Sequence, residues 1–321
     1  MSHNNLKIKK EVIEYDSNTS GGPLVSVIVV TFQHSRYIRK CLDGIVMQVT
    51  DFPIEVIVGE DSSTDDTREI CIEYAEKYSD KIRLFLHNRE NNIVIDGRPT
   101  GRFNFLYNLS KSKGKYIALC EGDDYWTDPL KLQKQVDFLE ANEEFSGCFH
   151  NTLKFNETEG KLQPIPYRTY DKKKFTFKDT ISEISPFHTS SFLFRNDALF
   201  FLDDYKNIQS GDMALFSTIA MSGYLFLIDE LMSVYRINTG GLTRTIDNKN
   251  YHENRIILMD YLSKISDDKY SDTIAKVRKF HFAKLNWEQK SSKYNFFNHN
   301  HTHMKVIHKI RNIFYNLMKF K

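Results

Sequence analysis

The chain carries little net charge. Lys and Arg number 44 against 42 Asp and Glu, a formal +2, which gives no global case for binding nucleic acid. Cysteine is scarce: Cys41, Cys71, Cys120 and Cys148 are the four present. They show no C-x-x-C spacing and lie in apolar segments, so they read as reduced core thiols, not as a disulfide framework or a zinc site. The opening stretch, MSHNNLKIKKEVIEYDSNTSGG, has no apolar core of the signal-peptide kind. No apolar run approaches the ~20 residues that cross a bilayer. A cytoplasmic protein, soluble or lying on a membrane surface, is therefore expected. TFQHSRY (Thr31–Tyr37) follows the first apolar run without a single glycine. That absence counts against a G-x-G-x-x-G dehydrogenase and against a sugar nucleotidyltransferase, which needs a Gly-rich phosphate loop there. There is no internal repeat, and after Glu288 there is no further acidic residue.

What is there supports a core. Hydrophobic residues make up 40% of 321, enough for one large domain with additions or two small ones. After a polar leader over 1–22, read as flexible, LVSVIVVTF is a β-branched run of the kind buried on both sheet faces. Ser35 is expected to cap a helix with Tyr37, Ile38, Cys41, Leu42, Ile45 and Val46 on its apolar side. Strand, helix and strand follow at Ile54–Glu60, Asp65–Tyr78 and Ile82–His87. A helix around Phe103–Ser112 and a strand at Lys115–Cys120 complete the alternation. Such a β-α repeat predicts a mainly parallel sheet covered on both sides. Beyond a helix starting at Pro129, HTSSFLFRN (His188–Asn196), YLFLID and LMSVYRIN read as strands. Residues 211–223, 250–263 and 272–290 read as helices. From about Met304, Val306, Ile307, Ile310, Ile313, Phe314 and Leu317 form an apolar stripe among basic residues.

Two acidic clusters fall at strand carboxyl ends, where open α/β sheets bind ligands. They are Glu60-Asp61 in VIVGEDSSTDDT and Glu121-Gly122-Asp123-Asp124 in ALCEGDDYW. Crowded carboxylates raise each other's pKa. Oxygen-rich clusters suit Mg²⁺ or Mn²⁺, hard cations that share carboxylates with substrate phosphates. Asp61 can accept a hydrogen bond from a base N–H or a ribose hydroxyl. Ser63 or Thr64 as cap and Asp65 and Asp66 in the first turn explain the rest of that cluster as a helix start. His299, His301, His303 and His308 have no accompanying acid or thiol and read as a solvated polar segment.

Five segments, in order, resemble the family 2 inverting glycosyltransferases of GT-A fold. They are VSVIVVTFQHSRYIRKCLDGIVMQ, EVIVGEDSSTDDT, KGKYIALCEGDDYW, HTSSFLFR and SGDMALF, spanning Pro23 to about Thr243. The resemblance implies an α/β fold with a Rossmann-like, mixed but mainly parallel sheet. Residues 23–245 would form the GT-A domain, with a nucleotide-sugar half (23–128) and an acceptor half (129–245). Residues 246–321 would form a helical extension ending in a basic amphipathic tail. It implies transfer of a sugar, with UDP-sugar the expected donor, to a saccharide or lipid-linked acceptor. Asp123 with Glu121 would hold Mn²⁺ or Mg²⁺. Thr31, Asp61, Arg102 and Asp124 would bind the donor, Arg102 at the diphosphate. Asp212, ionised by the N–H groups of its helix start, would be the general base. The sequence departs from the family pattern at Glu121, Glu60, Ser62 and Asn238, where Asp, Asp, Gly and His are usual. A nucleotide-sugar sensor would keep Asp61 and Asp123 yet need no base. Peripheral contact with the cytoplasmic face of a membrane is expected of the tail.

Overall fold

The structure is a computed structural model describing residues 6–17, 21–181, 185–201, 203–238 and 248–297. The histidine run and the C-terminal apolar stripe lie outside the described residues. The first part of the chain contains β1 (Ile13–Tyr15), β2 (Val25–Thr31), α1 (Ile38–Val46), β3 (Ile54–Glu60), α2 (Thr67–Lys77) and β4 (Ile82–Leu86). A small hairpin of β5 (Ile93–Ile95) and β6 (Arg98–Thr100) leads to α3 (Arg102–Lys111), β7 (Tyr116–Glu121), β8 (Tyr125–Trp126) and α4 (Lys131–Ala141). Then come β9 (Phe145–Asn156), β10 (Lys161–Pro166), β11 (Lys174–Phe175), α5 (Phe177–Thr180) and β12 (Leu193–Arg195). The chain continues through α6 (Gly211–Ser222), β13 (Tyr224–Ile237), α7 (Asn248–Ile265) and α8 (Ser271–Phe297).

The main sheet runs β1-β4-β3-β2-β7-β12-β9-β13-β11, with β10 on β9 and β8 on β13. Strands β4, β3, β2 and β7 are parallel neighbours, and β12 enters antiparallel between β7 and β9. The result is the GT-A architecture, a mixed and mainly parallel sheet. Its two faces carry separate apolar cores. Val25, Val27 and Val29 of β2 pack under Ile38, Cys41, Leu42 and Ile45 of α1. Ile28 and Leu119 face the other core, with Phe149, Phe192 and Phe216. Parallel strands covered on both sides must be apolar on both, hence the unbroken VSVIVV.

Local details differ from expectation for identifiable reasons. α1 begins at Ile38 without a side-chain cap. Ser35 instead donates its N–H to Asp65 Oδ2 at 3.1 Å. α2 begins at Thr67 with Asp66, not Ser63 or Thr64, at the capping position and without a side-chain cap bond; Asp65, one residue earlier, accepts the Thr67 N–H at 3.1 Å. In HTSS the hydroxyls compete with the sheet: Ser191 Oγ donates to the His188 carbonyl at 2.7 Å, and residues 189–191 form a 3₁₀ turn. YLFLID and LMSVYRIN are one strand, β13, carrying irregularities between Ile228 and Ser233.

Candidate active site

The carboxyl ends of β3, β2 and β7 lie side by side. The turn after β7 passes so close to β2 that a Cβ on Gly122 would sit 2.6 Å from Thr31 Oγ1 and 2.8 Å from His34 Nδ1. Only glycine allows this approach. The flanking acids are thereby aimed apart. Asp124 points inward, where its Oδ1 accepts the Arg236 N–H at 2.8 Å. Its Oδ2 is buried without a hydrogen-bond partner, 3.5 Å from His188 Nδ1. Asp123 accepts the Asn238 amide at 2.9 Å and lies 3.9 Å from His34 Nε2. Glu121 opens toward solvent.

The cluster is short of positive charge. The Arg236 guanidinium is spent on the Asp123 carbonyl at 2.8 Å and on Glu157 at 3.1 Å. Burial lowers the pKa of His34, and that of His188 falls to about 3. The enclosing site, then the charges of Asp123 and Asp212, push Glu121 upward, a shift that its exposed surface limits. Burial pushes Asp124 far upward, and the charges of Asp123 and Glu121 add to it.

A donor atom each of Glu121, Asp124 and His188 come within 4.8 Å of one another. This trio differs from the expected pair of Glu121 and Asp123. It adds Asp124, which the resemblance gave to donor binding, and an imidazole. An orphaned buried carboxylate oxygen beside a second acid and a neutral imidazole fits a divalent cation.

On the neighbouring strand, Asp61 Oδ2 accepts from Asn92 at 2.7 Å and from Arg89 at 3.1 Å. Its Oδ1 is buried and unpartnered. Burial raises its carboxyl to about 6, although Asn92 and Arg89 oppose the shift. The Arg89 guanidinium lies 3.8 Å from the Phe32 ring centroid, making a cationic and aromatic surface beside Asp61. Thr31 is buried, and its hydroxyl meets His34 Nδ1 at 3.2 Å. Glu60 is structural: it is buried and holds Arg68 Nε at 2.5 Å and the Ser63 N–H at 2.6 Å. Ser62 has φ of 61°, the left-handed region, which accounts physically for the glycine usual there.

Asp212 occupies the first turn of α6, and its Oδ1 accepts the Met213 N–H at 2.8 Å. Desolvation nonetheless raises its carboxyl on balance, with that N–H and the Arg102 charge opposing. The expectation that helix N–H groups leave it more acidic is thus corrected: the enclosing protein outweighs them. Arg102 sits behind Asp212. Its guanidinium donates to the carbonyls of Tyr205 at 3.0 Å and Ile208 at 2.8 Å and lies over the Tyr205 ring at 4.5 Å. A Cβ on Gly211 would collide with it.

Sequence reasoning missed Arg89, Asn92, His34 and Arg236. RENN (Arg89–Asn92) follows β4 after His87 and Asn88, and the end of β4 lies beside that of β3; that adjacency was the available signal for Arg89 and Asn92.

The sequence profile described as Glycosyl transferase family 2 matches residues 26–200. An uncharacterized protein of Mycobacterium tuberculosis is 35% identical over 234 residues, covering 72% of this chain and 64% of that protein. The chain thus aligns with less than two thirds of that relative's length. The structure of S. aureus TarS in complex with UDP-GlcNAc superposes with a TM-score of 0.59 at 18% identity, covering 81% of this chain and 72% of that one. The mannosyltransferase PcManGT from Pyrobaculum calidifontis, in complex with GDP-Man and Mn²⁺, superposes at 0.61 with 17% identity, covering 97% and 85%. With the profile spanning more than half of the chain, the protein belongs to glycosyl transferase family 2.

Proposed function

We propose that the chain is an inverting glycosyltransferase. It moves a sugar from a nucleoside-diphosphate donor, which we assign as a UDP-sugar, to a hydroxyl of a saccharide or lipid-linked acceptor. Cell-surface polysaccharide or glycan synthesis is the setting we assign, at the cytoplasmic face of the membrane. The observation that carries the reading is the uncompensated carboxylate cluster beside Asp61, whose Oδ1 is buried and lacks a partner. A buried acceptor without a donor costs about 1–3 kcal/mol unless a ligand supplies one. A nucleobase N–H is the donor we assign to Asp61, with Thr31 lining the same pocket.

Glu121, Asp124 and His188, joined by Asp123 across the turn, would hold Mn²⁺ or Mg²⁺ at the diphosphate. Such a cation, when bound, stabilises the charge that develops on the leaving diphosphate. The acceptor oxygen attacks the anomeric carbon opposite the diphosphate, whose C–O bond breaks, and configuration inverts. Asp212 takes the proton from that oxygen. Its burial-raised basicity suits the task. We give Arg102 a bracing role beneath Asp212, because its guanidinium is already bound to the two carbonyls. Calorimetry with UDP-GlcNAc as probe, with Mn²⁺ and with EDTA, tests the donor site. Binding should need Mn²⁺ and be lost in Asp123→Ala while the fold persists. Affinity that ignores both EDTA and Asp123→Ala would overturn the metal assignment.

A further inference from the structure

Asp61 has one oxygen bound and one free. Its Oδ2 takes both Asn92 and Arg89, while its buried Oδ1 has no partner. Two donors on one oxygen fix how the carboxylate is turned, and so where the free oxygen points. Arg89 and Asn92 bracket a single 3₁₀ turn, Arg89–Asn91 with Asn92 as its closing cap. So short a turn has few bonds of its own. The Asn91 N–H donates to the Asn88 carbonyl at 2.9 Å, the Asn92 N–H to the Arg89 carbonyl at 3.1 Å, and the Glu90 N–H to the Asn88 side chain at 2.9 Å.

A further anchor comes from the start of the chain. The Asn91 side chain is buried. Its Oδ1 accepts the N–H groups of Lys9 and Lys10 at 2.8 Å each, and its amide donates to the Lys10 carbonyl at 2.8 Å. The segment that supplies these groups is itself fastened to the sheet. Leu6 and Val12 pack with Ile93 against Ile57, Phe85, Phe103 and Tyr107. β1 pairs antiparallel with β4, and Glu14 meets Arg83 at 2.8 Å. Residues 6–15 thus lie along the turn as a strap, and the strap meets Asp61 through Asn91 and its two neighbours. We infer that this strap positions the donor-binding carboxylate: by fixing Asn91 it keeps Arg89 and Asn92 on one oxygen of Asp61 and leaves the other aimed at the nucleobase. Asn91 is then a positioning residue for donor binding, acting through the turn. The inference rests on the glycosyltransferase reading above.

Calorimetry of UDP with Mn²⁺ on the full chain tests it. Asn91→Ala should weaken UDP by about three- to tenfold, the size of a lost hydrogen bond. Deleting residues 1–10 removes the two N–H groups and the Lys10 carbonyl but leaves Asn91 and β1 in place, and it should weaken UDP by a similar factor. The deletion decides the matter if Asn91→Ala does not fold, and circular dichroism melting reports the fold of each variant. A strap that works through Asp61 has nothing to add once Asp61 is gone, so neither change should cost further affinity in an Asp61→Asn background. The pH profile gives a second readout. Asn92 and Arg89 oppose the rise of the Asp61 carboxyl. With their hold loosened, the loss of UDP affinity toward acid should begin at higher pH than in the wild type. Glu60 and Arg68, the other charged groups that face Asp61, are present in every protein compared, and so is the nucleotide's own titration. UDP affinity unchanged by both the alanine and the deletion, losses of equal size with and without the Asp61 carboxylate, or a pH profile that does not move overturns the positioning role. Wild-type protein that does not bind UDP overturns the donor-site reading itself, a result distinct from the others.

Discussion

At the scale of single residues, two carboxylates with opposite tasks can be separated by experiment. Asp212→Asn keeps the shape of the side chain and an oxygen for the Met213 N–H but removes the proton acceptor. Turnover of a UDP-sugar should fall by about 10²–10⁴. Donor affinity, measured by calorimetry, should barely move. Near-normal turnover would leave Asp212 as a helix-start residue only. Asp61 must be ionised to accept a base N–H, and burial brings its carboxyl to about 6. Protons therefore compete with the donor: affinity for UDP should be flat above that pH and fall below it, by up to about tenfold per unit. Asp61→Asn should bind more weakly and lack this fall. Subtracting the variant's profile removes the nucleotide's own titration. Identical pH profiles for the two proteins would take Asp61 out of the donor contact.

At the scale of elements, α6 is useful only if its first turn is held in place, and α3 does the holding. Arg102, at the start of α3, reaches across to the carbonyls of Tyr205 and Ile208, and Tyr205 in turn donates its hydroxyl to the Gly211 carbonyl at 3.0 Å. Arg102→Met should lower kcat by about tenfold or more, as small misplacements of a catalytic group do, and leave UDP affinity unchanged. Gly211→Ala, which forces the guanidinium away, should do the same. A variant that loses UDP affinity with kcat intact would return Arg102 to the diphosphate. The elements also show what could be read from the sequence. β2, β3, β4 and β7 were legible because strands buried on both faces are continuous apolar runs. Thr31, Asp61, Glu121, Asp123 and Asp124 were legible as candidates because they end such runs. β9 and β10 were not foreseen. Their FHNTLKFN and KLQPIP alternate weakly, and the β9–β10 end of the sheet is only half-covered. Arg236 lies in LMSVYRIN, which reads as a strand, but only the folded β9–β13 ladder brings it to Asp123 and Asp124.

At the scale of the whole molecule, the C-terminal helices raise the question of where folding ends and attachment begins. α7 belongs to the catalytic core: Leu258, Met259, Tyr261 and Leu262 pack in the same cluster as Phe149 and Phe216. Arg255 is fully buried, donating to the Ile181 carbonyl at 2.6 Å and lying 2.8 Å from Met213 Sδ, next to Asp212. Each large core side chain removed costs about 2–5 kcal/mol, comparable with a whole domain's stability. A chain ended before Asn248 should therefore fail to fold. α8 differs: it buries Ile274 and Leu285 but leaves Phe282 39% and Trp287 51% exposed. Among the described residues no helix is long and apolar enough to cross a membrane. The residues after α8 include Lys305, Lys309, Arg311, Lys319 and Lys321 and no acid. Exposed aromatics followed by unopposed positive charge suit an anionic membrane interface, where each basic residue near the surface contributes about 1 kcal/mol. The intact protein should cosediment with vesicles containing phosphatidylserine at low salt and release as salt rises. Deleting residues 303–321 should abolish that binding with the melting temperature unchanged. A deletion that lowers the melting temperature would show that the tail docks on the domain. An intact protein that stays in the supernatant at low salt would end the membrane assignment.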